Sequence, residues 1–540
     1  MKRSLFNFLV ALFAVLFAPF VHAQAAPPDR EPWRPRFHFT PERNWMNDPN
    51  GMVFFEGEYH LFYQHNPLGD KWGHMSWGHA VSRDLLCWEH LPLALAEEDG
   101  VMIFSGSAVV DWKNTSGLGK DSHPPLIAIY TGHYTEKPLQ NQHIAYSNDR
   151  GRTWTKYSGT PVLDIGEKDF RDPKVFWHEP TQRWVMVVAW PLPHRVRFYA
   201  SKNLKQWTHL SDFGPAGAST AIWECPDLFP LAIGGKREKK WVLIVNTSGA
   251  PAGGSGCQYF VGDFDGTRFV LDAAQKAEPD FVPQGRLLAE FEGSDKPAKP
   301  ATDGALWADY GPDFYAAVSW SDIPARDGRR LWLGWMSNWT YANEVPTSPW
   351  RNAMTLPREL ALRETSEGLR LTQRPVRELQ AVRRKHQRLT KKTLAEANRW
   401  LKQRGDFGES FEVLAEFEVP ADTDNFGFIL RFGTNARVRI TCDPGLRRIS
   451  LDRSKSGRTD FHRTFSRAIE APIEIRDQRM QLRFIVDASS IEVFCQQGEV
   501  CLTALIFPPK GSRQLELFSD QPKESPACNL LEVWRLEETR

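Results

Sequence analysis

Three short motifs each hold a carboxylate in a setting that could support chemistry. Asp48 stands in the segment WMNDPNG, Asp172 in FRDPK and Glu224 in WECPD. Taken singly, the first two are explained by turn formation, because Asp-Pro and Asn-Gly are strong turn sequences. Glu224 is less turn-like, since a glutamate between Trp223 and Cys225 is costly to bury unless it is hydrogen-bonded or protonated. The three acids become informative if the fold brings them together.

An internal repeat predicts such a fold. Segments that read as strand, polar turn and strand recur at intervals of roughly 50 to 65 residues, as in HAVSRDLLCWEHL, IAYSNDRGRTWTKY, FYASKNLKQWTHL and, more loosely, YFVGDFDGTRFVL. Five such units between about residue 38 and residue 365 predict a five-bladed β-propeller, whose innermost strands line a central channel. Asp48, Asp172, Asp227 and Asp313 stand at equivalent places in these units, so they are expected to meet at one end of the channel.

The amino-acid composition of the chain changes after residue 365. Segment 366–392 is polar and strongly basic, and it predicts a linker with helical pieces. Short alternating segments then return, which predicts a β-sandwich over residues 393–540. The expected architecture is therefore all-β: a five-bladed β-propeller over residues 34–365, a linker, and a C-terminal β-sandwich.

The N-terminus predicts export. Lys2 and Arg3 precede a long apolar run, and small residues before Gln24 suit cleavage after Ala23, so residues 1–23 are predicted to be a signal peptide. The mature protein is then expected in the periplasm or outside the cell, an uncleaved anchor being the alternative. Later apolar runs fall short of the roughly 20 residues that span a bilayer, and the net charge of +1 gives no indication of a nucleic-acid partner.

The cysteines and histidines do not predict a metal site. The sequence contains no calcium-binding loop and no zinc-ligand spacing, and His74 and His79 are five positions apart in a region of strand and loop. No metal and no cofactor is therefore expected. Cys495 and Cys501 flank QQGEV, which reads as a hairpin loop, and a disulfide between them stays open.

Carboxylates gathered at a channel mouth between aromatic walls suit the cleavage of glycosidic bonds. One acid must be ionised to stabilise or attack an oxocarbenium-like centre, and another must carry a proton for the leaving oxygen. Asp48, among the amides of a turn, is expected to stay ionised. Glu224, beside Trp223 and near like charges, is expected to hold the proton. Asp172 beside Arg171 is expected to stay ionised and to hold substrate hydroxyls.

Taken together, the motifs resemble those of glycoside hydrolase family 32, the β-fructofuranosidases that include invertases, inulinases and levanases. The motifs are WMNDPNG, FYQHNP, KWGHMSWGHAVSRDLLCWEHLP, FSGSAV, FRDPKVFW, WECPDLF, GPDFYAA, GWMSNWTYANEVPTSPWRNAMTLPREL and, near the C-terminus, SSIEVFCQQGEVCLTALIFP. The resemblance implies a retaining mechanism without a cofactor, with Asp48 as nucleophile, Glu224 as acid/base and Asp172 as stabiliser of the transition state. It also implies a fructose pocket that includes Asn47, Gln64, Trp72, Phe104, Ser105, Arg171 and Trp335.

The resemblance leaves several alternatives open. The stretch GWMSNWTYANEVPTSPWR is more similar to levanases and exo-inulinases than to plant invertases, so levan or inulin is the first expected substrate and sucrose the second. Exo or endo action, hydrolysis or fructosyl transfer, and the oligomeric state stay open. SNDRGRTW matches a turn repeated in sialidases, although only one copy is complete. A non-catalytic fructan-binding protein is a further rival, against which the three acids argue.

Overall fold

The computed structural model describes residues 31–121, 123–273, 304–521 and 525–539. The predicted signal peptide and its cleavage after Ala23 lie outside these residues. Within them, the longest helices fall short of the length and apolar character needed to cross a membrane.

Strands β1 to β23 occupy residues 44–375. Their bounds are β1 (Asn44–Phe55), β2 (Glu58–Asn66), β3 (Ser76–Ser82), β4 (Glu89–Leu95), β5 (Val101–Val110), β6 (Leu126–Tyr134), β7 (Leu139–Ser147), β8 (Thr155–Lys156), β9 (Arg171–His178), β10 (Arg183–Trp190), β11 (Arg195–Ser201), β12 (Thr208–Phe213), β13 (Trp223–Ala232), β14 (Lys239–Ser248), β15 (Ser255–Phe264), β16 (Phe269–Leu271), β17 (Leu306–Trp307), β18 (Tyr315–Ser319), β19 (Arg330–Met336), β20 (Trp350–Arg351), β21 (Ala353–Met354), β22 (Arg358–Thr365) and β23 (Gly368–Pro375).

These strands form five antiparallel sheets arranged as a propeller. Strands β1–β4, β5–β8, β9–β12 and β13–β16 make four of the sheets in chain order, and β18, β19, β22 and β23 make the fifth. The innermost strands β1, β5, β9, β13 and β18 contact one another in a closed ring. Middle strands such as β10, RWVMVVAW, are buried on both faces, whereas the outer strand β12 is largely exposed. The predicted five-bladed propeller is confirmed.

The remaining strands form two stacked sheets. Their bounds are β24 (Arg383–Thr393), β25 (Phe411–Glu418), β26 (Phe426–Phe432), β27 (Ala436–Asp443), β28 (Arg448–Lys455), β29 (Ala468–Pro472), β30 (Arg479–Val486), β31 (Ser490–Cys495), β32 (Val500–Leu505), β33 (Arg513–Ser519) and β34 (Ala527–Leu536). One sheet has the order β24-β34-β25-β30-β31-β32 and the other β29-β28-β27-β26-β33. Their facing side chains form one apolar core, so the predicted β-sandwich is confirmed.

Residues 366–392 do not form the predicted linker with helical pieces. Most of this segment is strand: β23 extends the last blade to Pro375, a 3-10 helix covers Arg377–Val382, and β24 is an edge strand of the sandwich. The basic residues of β24 lie on its exposed positions, where charges suit a sheet edge. The chain has one α-helix in the described part, α1 (Leu394–Arg404), which begins at a capping box formed by Thr393 and Glu396. Two further 3-10 turns cover Glu179–Thr181 and Gln496–Gly498.

Cys495 and Cys501 carry free thiols in the structure. Strand pairing explains why they do not form a disulfide: Cys501 of β32 stands opposite Phe494, and Cys495 stands opposite Val500. Since neighbouring residues of a strand point to opposite faces, the two thiols face different sides of the sheet. Cys495 lies in the sandwich core, whereas Cys501 packs on the propeller side.

Buried ion pairs join the propeller to the sandwich. His38, just before β1, contacts Asp487 through Nδ1 at 2.7 Å and Glu492 through Nε2 at 2.8 Å. Arg358 of β22 lies 2.6 Å from Glu492 and 3.0 Å from Asp309. All of these side chains are buried, and each charge has an opposite charge beside it, as burial requires. The two domains are therefore fixed to each other by a charged cluster.

Candidate active site

All five innermost strands bulge at the same end of the channel. Each bulge places two residues of the inner strand opposite one residue of its partner, so the local side chains are turned away from the regular alternation. The residues in the bulges are Asn47 and Asp48 in β1, Phe104 and Ser105 in β5, Asp172 and Pro173 in β9, Cys225 and Pro226 in β13, and Ala316 and Ala317 in β18. Three of these residues have positive φ, namely Asp172 at 67°, Cys225 at 44° and Ala316 at 52°. Such strain concentrates at functional sites, because surrounding structure must hold it.

The two carboxylate oxygens of Asp48 differ in their hydrogen bonding. Ser105 Oγ donates to Asp48 Oδ2 at 2.8 Å. Asp48 Oδ1 is buried and has no hydrogen-bond partner among the described residues. Burial raises the pKa of Asp48, the neighbouring Asn47 amide lowers it, and the charge of Glu224 raises it again, with a net upward shift. The oxygen Oδ1 is thus a buried acceptor whose lone pairs are not used by the described residues.

Asp172 lies beside Asp48 and shares a contact with it. Asp172 Oδ2 accepts a hydrogen bond from the backbone N–H of Cys225 at 2.9 Å. Cys225 Sγ lies 3.6 Å from Asp172 Oδ2 and 3.7 Å from Asp48 Oδ2, so both carboxylates are within reach of one thiol. Burial raises the pKa of Asp172 to about 7, with Arg171 opposing the shift and Glu224 adding to it. Asp172 is therefore harder to ionise than its place beside Arg171 predicted, because desolvation outweighs the neighbouring cation.

Glu224 is the most open of the three acids. Arg171 donates to Glu224 Oε1 from Nε at 3.0 Å and lies 2.9 Å away at Nη2, while the Tyr315 hydroxyl donates to Oε2 at 2.5 Å. The Glu224 side chain is 18% exposed, whereas Asp48 and Asp172 are buried. The indole of Trp223 packs into the core of the blade instead of lying against the carboxyl. Solvent protons can therefore reach Glu224 from the channel mouth.

The other predicted pocket residues fall into two groups. At the rim, Trp72 is 41% exposed and meets Phe104 edge-on at 6.1 Å, and Phe104 stacks on His133 at 4.4 Å. Gln64 is buried and donates to the carbonyl of Ile103 at 3.0 Å, directly before the bulge of β5. Gln64 therefore holds the bulge that carries Phe104 and Ser105.

Beneath the acids lie Asn47 and Trp335. Asn47 accepts a hydrogen bond from Trp45 Nε1 at 2.7 Å, which fixes its amide. Trp335 is fully buried, with its ring centroid 6.4 Å from that of Tyr315, and its Nε1 is left without a partner in the part of the chain that the structure describes. An unsatisfied buried donor of this kind suits a ligand hydroxyl.

Asp227 and Asp313 do not join the site, contrary to the prediction from the repeats. Asp227 lies three residues further along β13, where it accepts from the Ser319 N–H at 2.6 Å and pairs with Lys174 at 3.3 Å. Asp313 faces the sandwich and lies 2.6 Å from Arg453. In the fourth and fifth blades the site residues are instead Glu224 and Tyr315, which directly precede the bulges of β13 and β18.

Tyr315 and Cys225 were missed as site residues. Tyr315 is the first residue of the innermost strand β18, and its place in the motif GPDFYAA, at the start of a predicted strand, could have indicated it. Cys225 directly follows Glu224, and only the positive φ of its bulge turns the thiol towards the carboxylates. Among the described residues, no three His, Cys, Asp or Glu side chains lie together in a way that could hold a metal ion.

Two family models cover almost the whole described chain. Residues 38–375 match the N-terminal domain of glycosyl hydrolases family 32, and residues 378–535 match the C-terminal domain of the same family. The boundary between the two matches lies between the last propeller strand and the first sandwich strand.

The chain is also similar to characterised proteins. It is 48% identical over 527 residues to a levanase of Bacillus subtilis, covering 96% of this chain and 73% of the levanase. It is 40% identical over 519 residues to an extracellular exo-inulinase of Aspergillus niger, covering 91% and 92% of the two chains. The crystal structure of an exo-inulinase from Aspergillus awamori superposes with a TM-score of 0.83 at 35% identity, covering 95% of this chain and 99% of that one.

Proposed function

The chain belongs to glycosyl hydrolase family 32, and we propose that it hydrolyses the β-fructofuranosidic bonds of fructans. The resemblance read from the motifs is confirmed, and family membership replaces the sialidase alternative. The observation that carries the proposal is the trio of carboxylates at one channel mouth, with a free buried oxygen on Asp48 and a solvent-accessible Glu224. Levan and inulin are the first substrates, in keeping with the levanase and exo-inulinase relatives, and sucrose is the second.

In the first step, Asp48 Oδ1 attacks C2 of a terminal fructosyl unit. The bond from C2 to the glycosidic oxygen breaks, and Glu224 transfers its proton to that oxygen. In the second step, a water molecule gives a proton to Glu224 and its hydroxyl to C2, which releases Asp48 and fructose. Transfer to a sugar hydroxyl in place of water is the alternative outcome of the same intermediate.

The buried carboxylates, when ionised, lower the barrier to bond cleavage. Burial raises the pKa values of Asp48 and Asp172, which means that their negative charges are poorly solvated in the free enzyme. Positive charge that develops at C2 in the transition state stabilises these anions more than it would in water. Asp172, held by the Cys225 N–H, therefore favours the transition state over the ground state.

The remaining pocket residues position the sugar. Arg171, oriented by Asp169 at 3.0 Å, and the partnerless Trp335 Nε1 are placed to bind fructosyl hydroxyls, as is the amide of Asn47. Trp72 and Phe104 form an aromatic rim that suits the apolar face of the next sugar unit. We place the mature enzyme outside the cytoplasm, in the periplasm or the medium, where polymeric fructans are met.

Replacement of Asp48 by Asn tests the proposal. The amide cannot form the covalent bond, so release of fructose from levan, inulin and sucrose should fall by a factor of at least about 10³. Asp263→Asn makes the same exchange at the one exposed position of the otherwise buried strand β15 and should retain full activity. Rates near those of the parent in a folded Asp48→Asn protein would refute the nucleophile assignment.

Glu224→Ala separates the acid role from the nucleophile role. Hydrolysis of fructans should be lost, whereas a fructoside whose leaving group departs without a proton should still release its aglycone, since Asp48 is intact. Equal loss on both substrates would show that Glu224 is not the acid.

A further inference from the structure

We propose that the propeller carries a second, non-catalytic carbohydrate site at the opposite mouth of its channel, which binds a neutral fructan segment of the polymer. The identity of the polymer rests on the proposed function. The site is a cavity of about 710 Å³, within the range of small-ligand pockets. Its lining comes from the far ends of the innermost strands β5, β9 and β13, the loops that follow β5, β9 and β18, and residues of β10, β14 and β19.

The second cavity is separated from the active site. Asp172 is the second residue of strand β9, at the catalytic mouth, and Trp177 lines the cavity five residues later, about 17 Å along an extended strand. Between them, Lys174 Nζ contacts Asp227 at 3.3 Å and donates to the Ser319 carbonyl at 2.5 Å. This buried ion pair lies between the catalytic carboxylates and the distal cavity.

Indole rings form the walls of the cavity. Trp112 is 61% exposed; it and Trp72 at the catalytic rim are the two exposed tryptophans among the described residues. Trp112 Nε1 donates to Asp322 at 2.8 Å and Trp177 Nε1 donates to Glu179 at 2.7 Å, so hydrogen bonds fix the edges of both rings. Lys113 Nζ lies over the ring of Trp177, 4.6 Å from its centroid, so the exposed Trp112 is the ring that offers a face to a sugar. Such preorganised aromatic faces bind the apolar faces of sugars with little loss of side-chain entropy.

The charges in the cavity favour a neutral ligand. Four cationic and three acidic side chains line it. A fourth acid, Asp227, lies outside the lining and pairs with the lining residue Lys174. The cations are Lys113, Lys174, Lys239 and Arg330, and the lining acids are Asp111, Glu179 and Asp322. This balance gives no net attraction for a phosphate or an acidic peptide, whereas the same groups are donors and acceptors for sugar hydroxyls. A polyhydroxylated, uncharged chain therefore fits the cavity best.

A second site raises the local concentration of polymer around the enzyme. When the distal cavity holds one segment of a long fructan, other segments of the same molecule stay near the catalytic mouth. A short oligosaccharide gains nothing, because it cannot engage both sites at once. The site should therefore affect KM for polymers and leave short substrates unaffected.

Trp112→Ala tests this inference. KM for levan and inulin should rise about threefold to tenfold, the loss expected for one sugar-stacking aromatic. Retardation of the protein in native gels that contain levan should weaken, and kcat/KM for a fructosyl trisaccharide should stay within about twofold of the parent. Trp112→Phe keeps a stacking face and should retain most of the polymer effect.

The controls distinguish the two sites. Trp72→Ala, at the catalytic rim, should impair the trisaccharide and the polymers alike. If folded Trp112→Ala and Trp112→Phe proteins both match the parent in polymer KM and gel retardation, the distal site is refuted. A parent protein that cleaves neither trisaccharide nor polymer would instead refute the proposed function, and gel retardation would still report on the distal site.

Discussion

His38 offers a direct test of how the two domains are held together. Its ring lies between Asp487 and Glu492 of the sandwich, and all three side chains are fully buried. Burial by itself would lower the pKa of His38. Its hydrogen bonds to Asp487 and Glu492, and the charges of both acids, outweigh burial and raise the pKa to about 9.

This shift sets the size of the expected effect. The folded pKa of about 9 lies roughly 2.5 units above the ordinary value of 6.5, which corresponds to about 3 kcal/mol of folding free energy. Because the folded pKa is the higher one, this stabilisation is fully present below pH 6.5. It is lost as the pH rises towards 9, and about half remains midway between the two values.

The experiment is urea unfolding of the parent and of His38→Gln at pH 6 and pH 9.5, followed by fluorescence and circular dichroism. The parent should exceed the variant by about 3 kcal/mol at pH 6 and by less than about 1 kcal/mol at pH 9.5. His209→Gln removes a partly exposed histidine 2.8 Å from Asp212, and it should cost less than about 1 kcal/mol. An equal difference between parent and His38→Gln at both pH values would refute the charge-based explanation.

Three further predictions concern the site. Asp172→Asn should abolish fructan hydrolysis yet raise Tm, increasingly from pH 4 to pH 7, because a carboxyl whose folded pKa is raised to about 7 destabilises the fold over that window. Tyr315→Phe removes the donor to Glu224 and should lower kcat about tenfold or more and shift the pH–rate profile, with Tm nearly unchanged. Gly106→Ala would place a Cβ 2.1 Å from the Ile129 carbonyl, and should lower stability by about 1–3 kcal/mol in urea unfolding.

Local features of the chain were sufficient to predict the fold. Turn sequences such as that around Asp48, and repeats of strand, turn and strand, depend on residues close in sequence, so they predicted the propeller, the sandwich and the motif residues. The prediction of a linker over the charged segment 366–392 was wrong, because an edge strand with exposed basic residues has the same composition as a linker.

Only the tertiary structure decided which acids meet and in what state. Tyr315 and Glu224 face the site, whereas Asp313 and Asp227 do not. This difference depends on bulges whose positions are set by pairing with neighbouring strands. Likewise Asp172 is desolvated by residues from other blades, a long-range effect that its neighbour in sequence, a cation, does not reveal. Sequence fixes which side chains are available, whereas burial and contacts between distant segments determine their protonation and partners.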